Sequence, residues 1–307
     1  MQKRNEPKTK RQRGFTLVEL LVVIAILAIL ATVSTVGYTA FMKDAKVSND
    51  LALVRQFNTI LESQEFEYKP IGMCAAIEVL MENQITMDML TPVSEGYQIA
   101  YNQQSNRFVL LGEGLAVEGD DAEAPSDMAY LWVMVSSENI DEYKDKTSLL
   151  LLDGFSSGTT VTAKYGVDVG HNTDVNVRVV NETSSGHFVV CTNGGTVTLD
   201  TPHASISHFG EAQEVNVKLG TSEFYHEHGT ITNRLVLEKG SVLLEGQSYV
   251  EKILIAASTM SDIGVEQTEN ATLQSIAATT QEMADALRTA PEVRISEEVN
   301  VINVAEG

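Results

Sequence analysis

The chain opens on a short basic stretch and then turns apolar. Lys3, Arg4, Lys8, Lys10, Arg11 and Arg13 all fall ahead of Phe15, with Glu6 the only acid there. From Phe15 to Tyr38 the only side chain charged at neutral pH is Glu19. A helix over that stretch spans roughly 36 Å at about 1.5 Å per residue, enough to cross a bilayer core. The basic cluster on one flank predicts that this flank is cytoplasmic. Gly37 and Tyr38 close the run, and Lys43, Asp44 and Lys46 mark a return to water. Beyond them Val47, Leu51, Val54 and Leu61, with Leu53, Phe57 and Ile60, recur at helical spacing, and no Gly or Pro interrupts before Pro70. The pattern predicts one helix from about Phe15 to Tyr68, apolar on all sides at first and amphipathic later. Met73, Ala76, Ile77 and Leu80 predict a second, short helix. After the break at Thr91-Pro92, Tyr97–Tyr101 and Arg107–Leu111 alternate around a polar turn and predict a hairpin.

From about Tyr130 the texture becomes short apolar segments between Gly, Asn, Ser and Thr. Val175–Val179, Thr196–Asp200, Val215–Leu219, Arg234–Glu238 and Lys252–Ala256 recur at near-constant intervals. A second series sits between them: His187–Cys191, Ala204–His208, Glu223–Glu227 and Ser241–Glu245, with Gly210 and Gly229 at matching positions. Two strands per turn, with the turn recurring about every 19 positions, is what a β-solenoid needs, each turn burying one row of side chains on the next. A β-sandwich of short strands is the second reading. In the tail, Leu273, Ile276, Ala277, Met283 and Leu287 suggest a helix over Ala271–Ala290 that caps the open solenoid end. Val293–Ser296 and Val299–Val304 suggest an edge strand.

Three explanations compete for the N-terminal segment: a cleaved secretory signal, a plain anchor, or a signal cut ahead of the apolar run, which then stays with the mature chain. Glu19 separates them. A carboxylate at that depth costs about 2.5–3.5 kcal/mol, so it marks a function. Gly14-Phe15-Thr16-Leu17-Val18-Glu19-Leu20-Leu21 resembles the class III signal of type IV pilins and type II secretion pseudopilins. The resemblance covers the basic leader and the apolar run, and ends near Ala40. It implies cleavage by a prepilin peptidase between Gly14 and Phe15 and methylation of the new amino terminus on Phe15. It also implies assembly through Glu19, which would pair with the Phe15 amino group of a neighbouring subunit. Such a pair in a low-dielectric filament core specifies axial register. Many type IV pilins carry a proline where this chain has Val36, so a pseudopilin-like or Gram-positive-type subunit fits as well as a pilus subunit.

The expected fold class is α+β: a long N-terminal hydrophobic helix with a small pilin-like head, followed by a mostly-β C-terminal domain. The expected divisions are a leader at 1–14, an assembly helix at 15–42 and a head with hairpin at 43–118. Next come an acidic linker at 119–129, a β-repeat domain at 130–257 and a terminal segment at 258–307. Net charge is −21, and about −26 once the basic leader is subtracted. That argues against direct nucleic-acid binding, which needs clustered Lys and Arg. It suits a solvated surface exported from the cell.

Cys74 and Cys191 can pair outside the cell or remain as two buried thiols. The run Gly119–Asp127 lacks the ligand spacing and turn glycine of a dedicated calcium loop. His226 and His228 share a strand face, and His208 lies one turn earlier, so a zinc site is conceivable there. Solvated histidines are the simpler account. No hydrolase, phosphate-loop or metalloprotease motif occurs. The expectation is therefore a non-enzymatic filament subunit with no metal and no cofactor. Its partners are the prepilin peptidase, the membrane, and copies of itself or other pilins. Its route runs from the cell membrane to a filament or the cell surface. The alternatives are a tip adhesin or carbohydrate-binding module, and an anchored β protein with no filament role.

Overall fold

The computed structural model describes residues 15–64, 69–112, 131–143, 149–163, 165–171, 174–179, 186–201, 203–220, 223–257 and 259–303. The leader with Gly14, the acidic run 119–129 and Val304 lie outside the described residues.

Helix α1 runs from Leu17 to Ser63, 47 residues. The chain divides into two compact units, one ending at Asp50 and one starting at Leu51. In the first unit every large apolar side chain from Phe15 to Leu30 is 45–83 % exposed, so no face is buried. A helix that is greasy all round needs lipid or other helices about it. Among the described residues, no helix is long and apolar enough to cross a membrane. The side chains of residues 33–37 lie outside the described ones, and Leu17–Thr32 alone rises about 24 Å, short of the ~30 Å hydrocarbon core.

In the second unit the end of α1 shows the expected stripe: Val54, Phe57 and Leu61 are buried. Phe57 meets Phe108 edge-on, ring centroids 5.7 Å apart. Helix α2 (Met73–Glu82) buries Met73, Cys74, Ala76, Ile77 and Leu80 on one face. Strands β1 (Gln98–Asn102) and β2 (Arg107–Leu111) form the predicted hairpin, Gln98 opposite Leu111. β1 also pairs antiparallel with β3 (Leu131–Val135), the first rung of the repeat region.

From β3 onward every pairing among the described strands is parallel, and the chain winds as a β-solenoid of about 7 turns, which decides against the sandwich. After the single turn of helix α3 (Ile140–Tyr143) come β4 (Leu149–Leu152), β5 (Thr160–Ala163), β6 (Gly166–Asp168), β7 (Val175–Val179), β8 (Gly186–Asn193) and β9 (Thr196–Thr201). β10 (Ala204–Leu219), β11 (Phe224–Glu227), β12 (Thr230–Leu244), β13 (Tyr249–Ile255), β14 (Ile263–Gln267) and β15 (Thr272–Ala278) continue the winding. β16 (Val293–Arg294) and β17 (Asn300–Asn303) end it. The first predicted strand series stacks as one sheet: Val175 pairs with Val197, Val197 with Val215, Val215 with Leu235 and Leu235 with Ile253. The second series stacks as the other: Phe188 with Ile206, Ile206 with Tyr225, Tyr225 with Val242. Alternate residues of both sheets fill one continuous core.

The glycines at matching positions form a ladder at the bend inside β10. A Cβ on Gly229 would lie 2.1 Å from the Gly210 carbonyl oxygen, and one on Gly210 2.1 Å from that of Thr192. The expected tail helix over Ala271–Ala290 is corrected. Thr272–Ala278 is strand β15, paired with β13 and β17, and helix α4 (Gln281–Leu287) is confined to seven residues. Leu273 and Ile276 extend the solenoid core instead of forming a helical stripe. Met283, Ala284 and Leu287 of α4 pack on that same core.

Candidate functional site

Two places carry the chemistry. The first is the start of α1. Thr16 Oγ1 accepts from the Glu19 N–H at 3.3 Å, and Glu19 Oε2 accepts from both the Thr16 N–H and its hydroxyl at 2.9 Å. This is a capping box, in which two residues three apart satisfy donors that a helix start leaves unpaired. Glu19 also sits where the positive end of the helix dipole favours an anion. Phe15 lies just ahead of the box and is 83 % exposed. The Thr-x-x-Glu spacing is present in the sequence, but the depth of Glu19 in an apolar run masks a partner three residues back.

The second place lies between α2 and the early solenoid. Gly72 has φ +88°, and a Cβ there would stand 2.5 Å from Asp168 Oδ2 and 3.0 Å from Cys191 Sγ. The glycine is what lets the start of α2 approach. Its N–H donates to Gln103 Oε1 at 2.8 Å, which also takes the Trp132 indole N–H at 3.0 Å. In place of a side-chain cap from the helix itself, Asp168 reaches over from β6. Its Oδ2 accepts from the Cys74 N–H at 2.9 Å and its Oδ1 from the Gly170 N–H at 3.0 Å. Full burial pushes the Asp168 carboxyl up to about 7, against these N–H bonds, which pull it down. Both cysteines are free and buried, the second of the two states the sequence allowed. Burial, with Asp168 close by, pushes the Cys74 thiol up to about 12 and the Cys191 thiol well above its usual range.

Cys74 and Glu78 are one turn apart on α2, and His171 follows Gly170. Cys74 Sγ is 3.9 Å from His171 Nε2, which is 3.9 Å from Glu78 Oε1. Asn193 at the end of β8 bonds Glu78 Oε1 and lies 3.4 Å from His171 Nδ1. The sequence pattern singles out the solenoid histidines and Cys74, but not Glu78 or His171. The Cys-x-x-x-Glu spacing on a helix is the available signal. The distant histidine is not readable without the register of β6.

The solenoid histidines are bound otherwise. His208 and Glu227 are fully buried, with Nδ1 2.9 Å from both carboxylate oxygens. Thr192 Oγ1 lies 2.7 Å from His208 Nε2, and Tyr225 OH and the Gly229 N–H donate to Glu227 at 2.8 and 2.7 Å. Hydroxyl, imidazole and carboxylate stand in the order of an activated nucleophile. At zero exposure of His208 and Glu227, however, the order serves the interior of the solenoid and offers a substrate no approach to the imidazole. His226 Nδ1 and His228 Nε2 share one carboxylate oxygen of Glu245, at 2.9 and 3.4 Å. His208 is fully buried while that pair is partly exposed, and among the described residues the three histidines do not form a ligand cluster.

Residues 9–35 match the family model of the prokaryotic N-terminal methylation motif, which supports the pilin- and pseudopilin-type signal. No curated protein and no solved structure matches the chain.

Proposed function

We propose that the protein is a structural subunit of a type IV pilus or type II secretion-like filament, made as a precursor and matured by a prepilin peptidase. The enzyme cuts between Gly14 and Phe15, and the new amino group of Phe15 is methylated. The precursor sits in the cell membrane with its leader in the cytoplasm. Once processed, it assembles through residues 15–42 and carries the solenoid outward. The observation that carries this reading is the methylation motif at residues 9–35, which takes in the start of a helix whose apolar side chains up to Leu30 are exposed on every face. Neighbouring apolar helices, first in lipid and then in a filament, supply the burial that the free helix lacks.

Glu19 has two partners in turn. In the precursor it closes the capping box with Thr16. In the filament the cationic amino group of Phe15 on a neighbour offers a charged partner, which a low-dielectric core favours over a neutral hydroxyl. The solenoid is large for a lattice that repeats at every subunit, which supports a minor or pseudopilin position over a major one. No enzymatic role enters this reading.

Intact and N-terminal peptide mass spectrometry of the protein from its host tests it. The expected chain starts at Phe15 and carries one extra methyl. A start beyond Ala31, or an intact Met1, overturns it.

A further inference from the structure

We propose that Cys74, Glu78 and His171 form a binding site for a borderline-soft divalent transition-metal ion of the zinc type. Their ligand atoms, one sulfur, one oxygen and one nitrogen, all lie within 4.8 Å of one another. In a tetrahedral zinc site, bonds of about 2.3 Å to sulfur and about 2.0–2.1 Å to nitrogen place those two atoms about 3.6 Å apart. Here the sulfur and nitrogen are 3.9 Å apart, so the ligands close on an ion by a few tenths of an ångström.

The placement is built, not incidental. Asp168 is fully buried and holds both sides of the site with one carboxyl group. One oxygen fixes the turn of α2 that presents Cys74, and the other fixes Gly170, which presents His171. Glu78 is one helical turn from Cys74 and faces the same way. Asn193 donates its Nδ2 to Glu78 Oε1, an outer contact that orients the carboxylate ligand. Charge also fits: a dication balances one thiolate and one carboxylate. Thiol and imidazole donors exclude calcium and magnesium, which take oxygen. Cys74 and His171 also line a cavity of about 240 Å³ with Ile77, Met87, Met134 and Leu151, leaving room for a fourth ligand. An ion there would staple α2 to the early turns of the solenoid. The inference stands apart from the filament reading, since neither the motif nor α1 contributes a ligand.

The test uses the full chain in detergent, reduced and stripped with a chelator, then titrated with Co²⁺ and afterwards with Zn²⁺. The expected result is one Co²⁺ per chain with thiolate-to-cobalt charge-transfer absorption, displaced by one Zn²⁺. Cys74→Ser should abolish that absorption, and His171→Ala should weaken binding by at least about tenfold. His171 has 70 % of its side chain exposed, so its replacement leaves the fold intact, which circular dichroism checks. The double variant His226→Gln/His228→Gln should bind as the parent does. Absence of the charge-transfer band, binding indifferent to His171→Ala, or binding lost in the double variant each overturns the proposal.

Discussion

Glu227 shows how a single residue sets the cost of a polar interior. Its carboxylate accepts from His208, Tyr225 and the Gly229 backbone, all inside a solenoid otherwise filled with Val, Leu and Ile. Removing one member of such a group strands the others without partners. Glu227→Ala should cost about 3–5 kcal/mol in urea unfolding, while His208→Leu/Glu227→Leu recovers most of that loss. His228 makes a pH prediction. It stacks on Phe209 at 4.7 Å, and Glu245, His226, Glu227 and His208 act on it electrostatically. Burial lowers its pKa below the usual imidazole range, His226 and His208 add to that, and the two carboxylates only partly oppose it. As pH falls through about 6.5, the unfolded chain takes up this proton before the folded one does, so stability drops on acidification. His228→Phe should flatten the dependence of the unfolding midpoint as pH falls below about 6.5. An unchanged slope would place the acid sensitivity elsewhere.

At the scale of elements, periodicity carries most of the fold. Both strand series emerge from spacing alone because each solenoid turn repeats the same in–out alternation. The exception is Thr272–Ala278. Leu273, Ile276 and Ala277 are spaced as on a helix face, and the strand that forms is decided by pairing with β13 and β17, which no local pattern reveals. The α1–hairpin contact is legible only as an apolar stripe, yet a polar residue fixes its register. Asn58, 2 % exposed, gives its Nδ2 to the Phe108 carbonyl at 3.0 Å and takes the Phe108 N–H on Oδ1 at 2.7 Å. The side-chain amide thus pairs with β2 as a neighbouring strand would. Asn58→Leu leaves a buried carbonyl and a buried N–H unmatched and should cost about 2–5 kcal/mol in denaturant melts. Asn58→Leu melting at the parental midpoint would show that the stripe alone docks the helix. The capping box and the Cys74–Glu78 pair are likewise present as short spacings. Their meaning depends on what stands opposite, which only the assembled chain provides.

At the scale of the whole molecule, hairpin and solenoid share one hydrogen-bonded sheet within the unit that begins at Leu51. The basic leader, the acidic balance and the repeat are all visible from composition and spacing. The junction built by Gly72, Gln103 and Asp168 is not, because its residues are widely scattered along the chain and none carries a motif. β1 runs antiparallel against β3, while the later rungs are parallel and each lies directly on its predecessor, as Tyr225 lies on Ile206. The antiparallel strand finishes one edge of the stack, and nothing in it depends on how many rungs come after. Each added turn raises the stack by about 4.8 Å. Duplication or loss of one inner repeat unit would then change the height of the stack in fixed steps and leave the hairpin edge untouched. Length in this architecture is a discrete variable, adjustable one turn at a time without redesign of the hairpin edge from which the stack rises.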